Sequence, residues 1–324
     1  MKRYFLITID TEGDHLWSRP REITTRNSRY LPRFQRLCED FGFKPTYLVN
    51  YEMAQCRDFQ TMATDALARN TAEIGMHLHA WNSPPAYDLT GDDHRYQPFL
   101  IEYPDEIMRE KIGYMTRLLQ ETFGRETATH RAGRWALDDR YVRCLEDYDY
   151  RIDCSVTPFV SWKRTMGDPA GNGGSDYTHC PDTPHYLGCP DPASDPEGRI
   201  LEIPMTILPT PGFHLLKPIR NSRLHAPAMR LMNRLHPTLL WLRPNGKNLN
   251  RMKWLVRKAV GQGRGYIMFM LHSSELMPGG SYLFDTPEKI EKLYSDMREI
   301  FAVISADFEG ATLSEYRNAW EKGR

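Results

Sequence analysis

Short apolar runs alternate with amphipathic stretches along almost the whole chain, and no other feature constrains the fold as strongly. The run KRYFLITI at 2–9 reads as a continuously apolar strand, and residues 29–41 follow with helical spacing, Pro32 near the first turn and Gly42 as the stop. TYLVN, EIGMHL, THR and RIDCSV read as further strands, with helices near 58–69, 104–123 and 138–147 between them. Strands at ILEIPM and YIMFMLHS, and helices after Pro287 and Thr312, complete the pattern. Strand and helix alternating over 324 residues predict an α/β fold, either a parallel barrel or a doubly wound sheet, in one domain spanning 1–324.

Two segments interrupt the alternation. Residues 158–199 are crowded with Pro, Gly and Asp, and a loop of that length in a compact domain is usually functional. Residues 213–262 are basic and apolar and read as an inserted helical segment. The net charge is zero, yet no Asp or Glu falls between Ile203 and Ser274, while twelve Lys or Arg lie between Lys217 and Arg264. Such asymmetry points to an anionic partner, an anionic glycan or lipid-linked sugar at 217–264; without a nucleic-acid-binding motif, nucleic acid is not expected. A solvated helical face would carry the same charges. The six cysteines lack CxxC spacing, so neither a zinc ribbon nor a redox pair is legible. The N-terminal apolar stretch is too short for a secretion signal, and no run approaches the roughly 18 residues of a membrane span. The expectation is a cytoplasmic protein, peripheral on the inner membrane face if the basic segment binds there.

In parallel α/β folds the active site lies at the carboxyl ends of the strands. Four polar clusters close apolar strands here. ITIDTEGD bunches Asp10, Glu12 and Asp14 after the first strand, where an acidic turn capping the next element would look the same. EIGMHLHAW sets His77 and His79 two apart, and strand side chains at i and i+2 point the same way about 6.6 to 7 Å apart, so both imidazoles can reach one ion. THRAGRWALDD puts Arg131 and Arg134 beside Trp135; alone these would be two surface arginines and a packed indole. GYIMFMLHSSEL ends a strongly apolar strand in His272, dry on one side and open on the other, as a proton donor requires. Carboxylates, paired histidines, an arginine and a last histidine at successive strand ends point to a metal-assisted hydrolase.

The order of these motifs resembles that of the polysaccharide deacetylases of the NodB-homology superfamily, the carbohydrate esterase family 4-like enzymes, over roughly 4–160 and 200–275. That resemblance implies a distorted (β/α)7-type barrel around one divalent metal, zinc first, with cobalt or nickel as alternatives. It makes Asp10 of TIDTE the catalytic base. Thr11 stands where the common TFDD spelling has its metal-binding Asp, so Glu12 or Asp14 takes that role, with Glu12 preferred because it points with Asp10. His77 matches the first histidine ligand. Trp81 occupies the usual place of the second, four residues on, so His79 serves instead, as in a branch with HLHPW-like sequences, and Trp81 is left to line the pocket. HRAGRW resembles the third motif, whose Arg, here Arg131, pairs with the base. IDCSVTP resembles the fourth, with Asp153 as a partner for that Arg and Trp162 as a pocket wall. LHS resembles the fifth, making His272 the general acid, while Arg134, Trp135 and Trp81 would contact substrate.

The implied activity is metal-dependent N-deacetylation of an acetamido sugar in bacterial surface polysaccharide or lipopolysaccharide assembly. Two rivals stand beside it: a hydrolase of the same fold acting on a non-sugar amide, and a glycan-binding protein that has lost the chemistry, for which Thr11 and Trp81 argue.

Overall fold

The computed structural model describes residues 2–20, 22–188, 200–215 and 237–323. Its main sheet runs in the order β10 (Tyr266–His272), β1 (Tyr4–Thr11), β2 (Pro45–Val49), β3 (Glu73–Leu78), β4 (Thr129–Ala132), β5 (Ile152–Asp153), β7 (Leu201–Glu202) and β6 (His185–Tyr186). All neighbours are parallel except β6, which runs antiparallel to β7, and β11 (Glu309–Ala311) adds a parallel partner to the start of β1.

The apolar strands are buried on both faces, which explains their unbroken hydrophobic runs. On β1, Phe5, Ile7 and Ile9 pack outward with helical residues such as Phe34, Leu37, Leu293 and Phe301. Leu6 points the other way, into a second cluster with Leu48, Ile152, Leu201, Met268 and Met270. Side chains from both ends of the strand order meet in that cluster, so the sheet is curled into a barrel rather than spread flat. Between β7 and β10 there is no direct ladder; Thr206 accepts at its hydroxyl from Met268 N (2.8 Å), and Leu242 accepts from Met270 N (3.2 Å). This bridged seam makes the barrel irregular, as the sequence expectation of a distorted (β/α)7-type barrel required.

The outer helices follow the expected signals. The helix at Asp105–Phe123 has Pro104 at its cap position and stops at Gly124, whose φ of 63° suits glycine. In the expected insertion at 213–262, residues 216–236 lie outside the described residues. The remainder is part of the barrel wall rather than an appendage. β9 (Leu239–Trp241) pairs antiparallel with β8 (Ile207–Pro209), and the helix at Leu249–Gly261 buries Met252, Leu255, Val256 and Ala259 in the main core. Its lysines and arginines lie off that buried face, Arg251 and Arg257 being exposed. Of the expected loop at 158–199, residues 158–188 run mostly as turns, with an isolated bridge between Ser161 and Asp176, and β6 at the far end.

Candidate active site

The barrel register sets the polar strand ends side by side. Asp10 lies opposite His272 on β10, and His77 opposite Arg131 on β4. All four residues sit at the carboxyl ends of their strands; Asp10, His77 and His272 line the floor of a cavity of about 560 Å³, and Arg131 is buried behind them.

Arg131 is fully buried and donates from Nη1 to Asp10 Oδ1 (2.6 Å), from Nη2 to Thr8 Oγ1 (2.9 Å) and from Nε to the Cys154 carbonyl (3.1 Å). Burial works against the Asp10 carboxylate, but Arg131 and the imidazoles of His77 and His272 outweigh it, so Asp10 stays ionised well below the usual carboxylate range. Its other oxygen, Oδ2, lies 3.9 Å from His77 Nε2 and 3.8 Å from His272 Nε2, facing the cavity.

One ligand atom each from Glu12, His77 and His79 fall within 4.8 Å of one another, all buried. His77 Nδ1 is 3.0 Å from the Arg131 carbonyl, which can only accept, so Nδ1 carries the proton and the Nε2 lone pair faces Glu12 Oε2 at 3.7 Å and Asp10 Oδ2. Burial holds His77 down to about 4, so the ring is neutral at ordinary pH. His79 Nε2 lies 2.9 Å from Glu12 Oε2, while Glu12 Oε1 accepts no hydrogen bond among the described residues and faces His272 Nε2 at 3.9 Å. The Nε2 lone pair of His77, the His79 ring and the Glu12 carboxylate thus converge in one buried place, where Glu12 Oε1 and His79 Nδ1 have no hydrogen bond among the described residues. The donor set fits a divalent metal.

The backbone around these ligands is tightly fixed. Ser273 Oγ donates to the Glu12 carbonyl and accepts from the Glu12 N–H, both at 3.1 Å. Gly133 packs under His79, where a Cβ would come within 2.2 Å of the Leu78 carbonyl and 3.0 Å of His79 Nδ1. Asp14 does not join the ligands. Its Oδ1 accepts from Asn27 N (2.9 Å) and Nδ2 (2.7 Å), and its Oδ2 accepts from Thr24 Oγ1 (2.7 Å) and Arg26 N (3.1 Å). Asn27 Nδ2 also donates to the Glu12 carbonyl (2.9 Å), so Asp14 buttresses Glu12 from behind.

His272 presents Nε2 to Asp10 and Glu12, while its Nδ1 lies 2.9 Å from Arg243 Nη2 and 3.6 Å from Glu275 Oε2. A donor and an acceptor beside one nitrogen accommodate both the neutral and the cationic ring. Burial and Arg243 disfavour the cation, but Glu12 and Glu275 outweigh them and raise His272 above its ordinary value.

The remaining sequence expectations divide. Trp135, Arg134 and Trp162 line the cavity, with Trp135 stacked 4.8 Å beneath the Arg131 guanidinium. Arg134 is held by the carbonyls of Gln97 and Met166, over the Phe99 ring. Trp81 does not reach the cavity. β3 ends at Leu78, residues 80–82 form a turn, and the inward alternation has stopped, so Trp81 lines a separate cleft with Asn82 and His94. Nor is Asp153 the partner of Arg131. It lies opposite His130 in register and takes Nδ1 of that ring at 2.6 Å, on the face of β4 away from Arg131.

Three residues of the site were not singled out from the sequence. Trp17 sits over the cavity, edge-on to His79 (5.8 Å) and His272 (6.4 Å). Arg243 follows the short apolar run TLLWL, a strand-end signal hidden inside a basic stretch. Glu275 lies three residues past His272, where its side chain also accepts from the His272 N–H (2.9 Å).

No family model matches the chain, and no curated protein matches it. Solved structures do. A candidate polysaccharide deacetylase from Mycobacterium smegmatis is 14% identical with a TM-score of 0.54, covering 100% of this chain and 92% of that one. A probable polysaccharide deacetylase from Pseudomonas aeruginosa PAO1 is 13% identical with a TM-score of 0.52, covering 99% and 91%. The chain has the polysaccharide deacetylase fold. An allantoinase, Puue, is also similar, 13% identical with a TM-score of 0.51 over 99% of this chain and 90% of that one. The deacetylase fold therefore positions the strand-end site without naming its substrate, which must be read from the cavity.

Proposed function

We propose that this protein is a metal-dependent amide hydrolase that removes the acetyl group from an N-acetylated sugar. The observation that carries the reading is the convergence of a buried Asp10–Arg131 pair, the Glu12, His77 and His79 donors and the Nε2 of His272 beneath one cavity, whose floor Asp10, His77 and His272 line. Glu12, His77 and His79 would hold one divalent ion, zinc being our first choice, and when bound it supplies Lewis acidity toward the acyl oxygen and an acidified water.

The chain's own residues divide the proton work. Asp10, kept ionised by Arg131, takes the proton of the attacking water at Oδ2. His272 gives a proton from Nε2 to the leaving nitrogen, and Glu275 stabilises the cationic ring before that transfer. Trp17, Trp135 and Trp162 wall the cavity with aromatic faces suited to a sugar ring, and these favour a saccharide over a small cyclic amide. We place the activity in bacterial surface polysaccharide or lipopolysaccharide assembly, with the basic stretch 217–264 facing an anionic or lipid-linked glycan. No helix among the described residues is long and apolar enough to cross a membrane. Acetate release from N-acetylated saccharides, lost on chelation and restored by zinc, tests the reading.

A further inference from the structure

The cavity does not end at Trp135 and Trp162. A second cleft of about 320 Å³ shares Trp135, Trp162, Arg243 and Leu283 with it, so the two are contiguous. Resting on the deacetylase reading of the main cavity, we propose that this cleft binds an anionic sugar unit joined to the acetylated one. Its floor is aromatic and fixed. Trp241 lies on β9, opposite Ile207 of β8, and meets Trp135 edge to face at 6.2 Å. Trp162 is anchored through Nε1 to Thr157 Oγ1 (2.9 Å), and the Trp135 carbonyl accepts from Tyr177 (2.6 Å). Rigid indole faces of this kind stack on sugar rings.

The charge of the cleft gives the class of sugar. Arg243 is committed to Glu275 at 2.9 Å. Arg251, in the first turn of the helix at Leu249–Gly261, has no ion-pair partner among the described residues, and no carboxylate among them lines the cleft. An exposed guanidinium free of ion pairs among the described residues, beside an aromatic platform, matches a carboxylate or phosphate oxygen pair, which its planar fork reads bidentately. The anion is thus either the carboxylate of a uronic acid or a phosphate on the sugar.

Binding to chelator-treated protein, followed by calorimetry and tryptophan fluorescence, tests this without turnover. The probes are a neutral N-acetylated disaccharide, one carrying a uronate and one carrying a phosphate monoester. At least one anionic probe binds roughly tenfold or more tighter than the neutral one. Arg251→Gln removes the difference, Arg251→Lys keeps part of it, and Trp241→Ala weakens all three probes. The tighter of the two anionic probes identifies the anion. Equal binding of all three, no binding of any, or a preference that survives Arg251→Gln overturns the proposal. Acetate release by the zinc-loaded protein is scored separately: release without an anionic preference sinks the cleft alone, and a preference without release sinks the deacetylase reading alone.

Discussion

Arg131 and Asp10 form a fully buried ion pair, Nη1 to Oδ1 at 2.6 Å, between residues 121 positions apart in sequence. Their pairing couples fold to chemistry, because removing either charge leaves the other stranded. Arg131→Met is expected to cost about 3 to 5 kcal/mol of stability, read from chemical denaturation. Asp10→Asn also strands the buried guanidinium and is expected to lose stability in the same direction, by less because the amide oxygen can still accept from Arg131, while kcat falls by about a hundredfold or more. An Asp10→Asn protein with unchanged kcat would remove Asp10 from the role of base.

The third ligand is decided by metal content. His77→Ala and Glu12→Gln are each expected to lose stoichiometric zinc by elemental analysis. Asp14→Asn keeps the zinc but loses about 1 to 3 kcal/mol, because its carboxylate holds the 24–27 segment. Zinc lost from Asp14→Asn and retained by Glu12→Gln would reverse the assignment.

Trp17 and Trp81 flank His79 from different cavities. Trp17→Ala is expected to raise KM several-fold through lost stacking, about 1 kcal/mol, whereas Trp81→Ala leaves KM near wild type. The opposite result would place substrate on the Trp81 side.

Glu52 carries a pH signature. Burial raises its carboxyl to about 7, and its one oxygen accepts from Asn82 Nδ2 at 2.5 Å. A raised carboxyl keeps its proton in the folded state while the unfolded chain releases it, so this group's contribution is fully present below pH 4.5 and declines as pH rises to about 7. In metal-free protein, wild type therefore loses about 3 kcal/mol relative to Glu52→Gln across that window, measured by denaturation at several pH values. Parallel pH profiles of the two proteins would contradict the assignment.

The barrel was legible because each strand buries both faces, which imprints an unbroken apolar run ending in a polar residue. That pattern exposed Asp10, His77, Arg131 and His272, and the two-residue strand period brought His79 beside His77, their rings 4.7 Å apart. The family resemblance, not the strand period, assigned Trp81 to the pocket, and it misplaced that residue because the strand had already ended at Leu78. The resemblance also misplaced Asp153, because pairing depends on cross-strand register, which set His130 opposite it. Arg243 was hidden because the strand before it is three residues long and lies inside a basic stretch. Trp17 lies on a 3-10 turn, Leu16–Ser18, where no repeat announces which way a side chain points.

Acetate release from N-acetylated saccharides by chelator-treated protein, titrated with zinc, tests the central claim most directly. The account predicts no release without metal, and release that rises to a plateau near one zinc per chain and is absent from His77→Ala at the same loading. Release that is independent of zinc, or that His77→Ala supports as well as wild type, would contradict it.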